Sequence, residues 1–156
     1  MEISKAVPGD AAAMGRLHAI VHNLHVENLE RHFKTVDVYH FVEVSRATLK
    51  QPNAYTVVAR IDGEVAGFAV GVIREAPESL FAKETRHLYL DRIAVDPAFR
   101  RKGIGRELVQ ALLNHARRAG LGQVVLDTWE FNEGARSFFL SMGFKRQMQR
   151  LSMGLD

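Results

Sequence analysis

The chain has 156 residues, 47% of them hydrophobic, which is the size of one domain able to bury roughly two thirds of its unfolded surface. Its 21 Lys and Arg against 18 Asp and Glu leave a net charge of only +3, too little to point to nucleic acid or a membrane surface as the main partner. Cysteine is absent, which excludes a disulfide framework, a thiolate metal site and a Cys nucleophile. No apolar run reaches the roughly 18 residues of a membrane span, and "MEISKAVPGD" lacks the blocks of a signal peptide, so a soluble cytoplasmic protein is expected. Without repeats, low-complexity tracts or linkers, a single domain over 1–156 is expected too.

In chain order, "EISKAV" alternates weakly and predicts a short first strand, stopped by Pro8 and Gly9. Asp10 suits an N-cap for a helix with Met14, Leu17, Val21 and Leu24 on one stripe. A second helix is predicted over 38–50, with Phe41, Val44 and Leu49 apolar. "AYTVVARI" and "EVAGFAVGVI" flank Asp62-Gly63, a pair that accepts the positive φ angles of a tight hairpin turn, and predict two antiparallel strands. Residues 75–86 read as a polar loop, and "HLYLDRIAV" as a strand ending at Asp96-Pro97. Ile104, Leu108, Leu112 and Ala116 make the stripe of a helix over 103–119, stopped by Gly120. "QVVLDTW" predicts an apolar strand, 133–142 a last helix closed by Gly143, and "KRQMQRLSM" a final strand. The expectation is a mixed α/β sheet with helices on its faces.

The stretch "DPAFRRKGIG" sets three cations and two glycines between a strand and the start of a helix, where several unpaired N–H groups and about half a positive charge converge. Glycine lets that backbone approach an anion closely, and Arg100, Arg101, Lys102 and Arg106 add charge suited to phosphate. A dinucleotide fingerprint would need glycine where Leu108 stands. A P-loop would need Lys followed by Ser or Thr after its second glycine.

Arg100, Gly103 and Gly105 do match the acyl-CoA loop of the GNAT superfamily of N-acetyltransferases: Arg or Gln, two residues, Gly, one residue, Gly or Ala. "LDRIAVDPAFR" resembles that family's fourth strand and its exit, and "FNEGARSFFLSMGF" its later Asn-to-Gly-Phe segment, so the resemblance covers nearly the whole chain. It implies a mostly antiparallel mixed sheet, twisted, with helices on both faces and a splay between strands 4 and 5. It implies acetyl-CoA as co-substrate, with the pyrophosphate on the backbone of Arg101, Lys102, Gly103, Ile104, Gly105 and Arg106. The pantetheine arm is expected along Ile93, Ala94 and Val95, and Asn132 as a cofactor or water contact. The implied function is transfer of an acetyl group to a primary amine of a small molecule, peptide or protein, by direct attack in a ternary complex. Dimers are common in that family, and a homodimer is one partner expectation.

An amine with an ordinary pKa of about 10.4 must lose a proton before it attacks, so a base is needed, directly or through water. Asp91, on the fourth strand, and Glu130 are the candidates. Tyr89 shares the face of Asp91 if that strand carries no bulge. A backbone N–H around Ile93 or Ala94 is the candidate for stabilising the tetrahedral oxygen. Many members of the resembled family place a Tyr seven residues after the Asn to protonate the leaving thiolate, and here Phe139 stands there. Ser137, Ser141 or water are the alternatives. The second reading is therefore a catalytically silent acyl-CoA-binding or regulatory module. Arg92 stands where some polyamine-acetylating relatives carry an acid, which argues against a polycationic acceptor. His18, His22 and His25 have spacing compatible with zinc but read better as a helix flank or pocket wall, so no metal is expected. The segment 21–35 is where acceptor specificity would be read.

Overall fold

The turn at Asp62-Gly63 has φ values of +50° and +83°, and it joins the antiparallel strands as its sequence predicts. The structure, a computed structural model, describes residues 1–155. It divides into two compact units, Met1–Leu126 and a second that begins at Asp127.

In the first unit, β1 (Glu2–Lys5) pairs with β2 (Ala54–Ile61), β2 with β3 (Glu64–Ala76) and β3 with β4 (Thr85–Val95), all antiparallel. β5 (Val124–Val125) adds a parallel edge to β4, giving the order β1-β2-β3-β4-β5. Strands β3 and β4 run into the segment read as a loop, pairing as far as Ala76 with Thr85. Their polar ends hide the strand period, but the backbone ladder continues and Arg86 Nε meets Glu75 Oε1 at 2.7 Å.

Helices α1 (Ala11–Asn28) and α2 (Val38–Leu49) cover one face of the sheet. Met14 and Leu17 pack with Val58, Phe68, Val70 and Ala94 in a cluster with almost no exposure. A Cβ on Gly15 would lie 2.6 Å from the Val42 backbone nitrogen, so glycine sets how closely the two helices approach. Helix α3 (Ile104–Arg118) covers the opposite face, where a Cβ on Gly67 would meet Ile104 and Leu108 at 3.1 and 3.2 Å. Ile104, Leu108, Leu112 and Ala116 are all buried, as their stripe predicts.

Other expectations are corrected. Leu24 and Val44 lie on exposed flanks, while Val21 and Leu49 pack against the core. Asp10 precedes α1 but its side chain does not cap that helix; both carboxylate oxygens accept from Arg60 Nη2, at 2.8 and 2.9 Å, and Oδ2 also takes the Val7 N–H. Only Val124–Val125 of "QVVLDTW" forms strand, because its ladder with β4 ends at Tyr89, just before a bulge bends β4.

The second unit holds α4 (Glu133–Ser141), closed by Gly143 at φ +97°. Residues 145–153, predicted as a final strand, form none among the described residues, and Met148, Leu151 and Met153 are each at least 75% exposed. Alternation of apolar side chains makes a strand only where a neighbouring edge takes up its backbone groups.

Candidate active site

The exit of β4 builds the loop in short steps. Asp96 N–H reaches back to Ala66 O at 2.8 Å, while its carboxylate accepts from Ala98 N–H and caps a 3-10 turn over Pro97–Phe99. The chain then takes a left-handed conformation twice, at Arg101 (φ +65°) and at Gly103 (φ +77°). Gly103 is the N-cap of α3 and has no side chain to cap it, and the helix's first bond runs from Glu107 N–H to Gly103 O. The N–H groups of Ile104, Gly105 and Arg106 thus have no intrahelical acceptor. A Cβ on Gly103 would find no heavy atom within 4 Å, so the backbone there faces open space. Arg100, Arg101, Lys102 and Arg106 are exposed around it, with Lys102 Nζ 5.2 Å from the centre of the Phe99 ring. Bare amides, a helix dipole and four cations suit a pyrophosphate, which is the fit that an acyl-CoA requires here.

β4 supplies a second element. Its ladder with β5 has two pairs, Leu88 with Val124 and Tyr89 with Val125, and goes no further. On its other side β4 stays paired with β3 through Val95 and Gly67. Since Asp96 N–H bonds Ala66 O and antiparallel pairs alternate, the polar groups of Ala94 turn to β3 and those of Ile93 and Val95 to the far edge. Of the two expected oxyanion donors, Ile93 therefore has the orientation and Ala94 does not.

The register of β4 slips between Val70–Arg92 and Gly71–Leu90, leaving Asp91 as the extra residue of a bulge. Simple alternation, the condition for Tyr89 and Asp91 to share a face, is therefore broken here, and the bulge itself sets the direction of Asp91. Before it, Tyr89 faces α1 and α2; across it, Arg92 and Ala94 take up that face, and Asp91 turns the same way, its Oδ2 2.8 Å from Arg92 Nε. Arg92 Nη2 donates to Thr48 Oγ1 of α2 at 2.6 Å, and that hydroxyl donates to Val44 O. Arg92 Nη1 is buried with no partner. Strand alternation alone could not reveal this inward cation, because the bulge resets the parity that alternation depends on.

His18 of α1 completes this wall. Its ring lies edge-on to Phe41 at 4.7 Å, and its Nδ1 is also buried without a partner. Burial, then the charges of Arg92 and His22, hold its pKa down at about 4, with Asp91 pulling the other way and His25 adding to the depression. The imidazole is therefore neutral near pH 7. Because the folded pKa lies below the unfolded value near 6.5, this contribution to stability is complete above pH 6.5 and is lost as pH falls toward 4. His18→Asn is expected to flatten the fall in melting temperature between pH 6.5 and 4.5; an unchanged acid slope in calorimetric scans would contradict it.

The other histidines of the trio are tied to backbone, His22 Nε2 to Lys34 O and His25 Nδ1 to Val21 O, each at 2.8 Å. Among the described residues no group of three or more potential ligands is placed to hold a metal ion. In the second unit, Asn132 caps α4, its Oδ1 accepting from Ala135 N–H at 3.1 Å. Glu130 is 92% exposed and lies 3.7 Å from Arg136, so its carboxylate stands in water. Phe139 is buried and touches the rings of Phe138 and Phe144.

A sequence profile described as acetyltransferase (GNAT) family matches residues 19–144. The chain belongs to this family. Among curated relatives, N-alpha-acetyltransferase RimI of Mycobacterium tuberculosis is 36% identical over 98 residues, covering 63% of this chain and 56% of that protein. N-acetyltransferase 8B of Mus musculus is 30% identical over 110 residues, covering 70% of this chain and 46% of the relative. The chain thus spans about half the length of the curated relatives it matches. The fold is shared with the BH1408 protein of Bacillus halodurans, solved as a tetramutant, with a TM-score of 0.90, 24% identity and coverage of 99% and 100% of the two chains. It is also shared with an aminoglycoside N-acetyltransferase in complex with CoA, with a TM-score of 0.77, 18% identity and coverage of 99% and 93%. No helix among the described residues is long and apolar enough to cross a membrane.

Proposed function

We propose that this GNAT-family chain is an acetyl-CoA-dependent N-acetyltransferase, its two units acting as one cytoplasmic domain and its acceptor a primary amine. The observation that carries the reading is the start of α3, where a left-handed glycine without a capping side chain leaves bare amides among four cations. The backbone of residues 101–106 would hold the pyrophosphate, and the edge of β4 at Ile93 and Val95 the pantetheine amides, as an added strand would be held. Asn132 and Glu130 remain candidates for a cofactor contact and a base on the resemblance alone.

The chemistry asks little of the protein beyond placement and one proton transfer. The bound amine gives up a proton to Asp91 or to water beside it, then attacks the thioester carbon while the Ile93 N–H faces the developing oxyanion. The C–S bond breaks and sulfur keeps the electron pair. A thiol of ordinary pKa, about 8.5, is a good leaving group, so the absence of a tyrosine hydroxyl at position 139 is compatible with turnover.

Release of free thiol from acetyl-CoA, measured against a panel of primary amines, tests the reading. Turnover with at least one amine is expected. Tight CoA binding with no turnover on any amine would replace it with the second reading, a catalytically silent acyl-CoA-binding or regulatory module, which the buried phenyl ring of Phe139 favours.

A further inference from the structure

Asp91 and Arg92 are opposite charges set side by side on one face of β4, immediately before the edge at Ile93 to Val95. Arg92 is held from two directions, Nε on Asp91 and Nη2 on Thr48, and this fixes the plane of its guanidinium. Both bonds leave Nη1 buried and unmatched, and His18 Nδ1 across the wall is in the same condition. Buried polar atoms are nearly always paired, so two orphans on one wall point to a missing partner. Asp91 keeps a second oxygen, and its side chain is 32% exposed against 16% for Arg92, so the carboxylate forms the rim and the guanidinium lies behind it.

We propose, building on the acetyltransferase reading, that the acceptor is a free α-amino acid bound as a zwitterion, its ammonium on Asp91 and its carboxylate on Arg92 Nη1, with His18 beside the same oxygen. A polyamine would carry a second cation against Arg92, and a simple anion would meet Asp91. A ligand with both charges one carbon apart satisfies both. Nη1 and Nδ1 are closed to solvent, so a carboxylate reaches them only as a side chain at the Asp91 rim of the wall rotates aside. A free carboxylate makes a charge-assisted pair there, whereas the residue at the N-terminus of a protein presents only a neutral amide at that distance. The amine would then lie within two residues of Ile93, where the acetyl carbonyl is expected.

The proton balance follows from the same pair. The ammonium gives one proton to Asp91 or its water, from which it passes to solvent; nitrogen forms the bond to the acetyl carbon and loses a second proton as the C–S bond breaks, and sulfur leaves with its electrons and takes up a proton through water. The product has lost its cationic end but keeps its carboxylate. Its attraction to Asp91 is gone, which favours release.

The test compares the twenty free amino acids with their carboxamides and with the amines lacking the carboxyl group, by thiol release and by calorimetry in the presence of CoA. At least one amino acid is expected to exceed its own carboxamide by about 30-fold in kcat/KM, since a charge-assisted pair to Arg contributes on that order. Arg92→Gln should bring that ratio below about threefold, Arg92→Lys should restore part of it, and His18→Asn should lower it severalfold. Melting temperature and acetyl-CoA binding check that each variant is folded. A wild-type protein that uses carboxamides or polyamines as well as amino acids overturns the proposal, whatever the variants do. So does an undiminished ratio in folded Arg92→Gln. If no amine is acetylated yet amino acids bind tenfold better than their carboxamides, the binding site stands and the transferase reading falls. If amino acids neither react nor bind, the site falls.

Discussion

Gly103→Asp is expected to weaken acetyl-CoA binding by about 100-fold, equivalent to about 2.7 kcal/mol, while leaving the fold intact. Two effects act together. Gly103 sits at φ +77° with no heavy atom within 4 Å of where a Cβ would stand, so an aspartate fits in space and bears only the cost of the left-handed conformation, which Asp tolerates better than most residues. Its carboxylate would then stand at the N-cap of α3 and accept from the bare amides of the first turn, as aspartate does at ordinary helix starts. The new side chain fills the anion site from within and repels what remains of the phosphate attraction. Titration calorimetry with acetyl-CoA, beside a thermal melt, separates binding from folding. Unchanged affinity would move the pyrophosphate away from this loop.

Arg60→Ala is expected to cost about 3 kcal/mol, a loss of about 6 to 12 °C in melting temperature for a chain of this size. The carboxylate of Asp10 is 6% exposed and holds its two bonds from Arg60 and one from the Val7 amide. Removing the guanidinium leaves a buried charge with one backbone donor. The double variant Asp10→Leu, Arg60→Met should recover much of the loss, because two apolar side chains strand no charge. Equal melting temperatures for the wild type and Arg60→Ala would show that this pair does not anchor the start of α1 to β2.

The Asp10–Arg60 pair also shows where the chain read alone stops being informative. Residue type and position favour a local role for Asp10, capping the helix it precedes. Instead a partner fifty positions away claims both of its oxygens. Nothing within a few residues of Asp10 announces Arg60, and a charge-assisted pair in a half-buried place outcompetes a cap open to water.

The same division runs through the site. The geometry of the loop before α3 is legible because its signals are local: glycine at a helix start, cations beside it, a Pro-containing turn before it. The hairpin at Asp62-Gly63 and the buried stripe of α3 are legible for the same reason, since dihedral preference and helical periodicity are written in adjacent letters. The wall formed by Asp91, Arg92 and His18 is not. Asp91 can be named from its place on the strand, but whether Arg92 faces inward depends on a bulge that only the pairing with β3 reveals. The orphaned nitrogens of Arg92 and His18 exist only because α1, α2 and β4 pack together.

The order of the letters is thus enough for a mixed sheet with helices on its faces, a glycine-bearing loop with cations at a helix start, and membership of the GNAT family. Tertiary packing sets the direction of β4's polar groups, the inward turn of Arg92, and the lowered pKa of His18. The physical reason is range. Turns, caps and periodic stripes are settled by residues a few places apart, whereas side-chain direction after a bulge and the pKa of a buried imidazole depend on strands and helices brought together from distant parts of the chain.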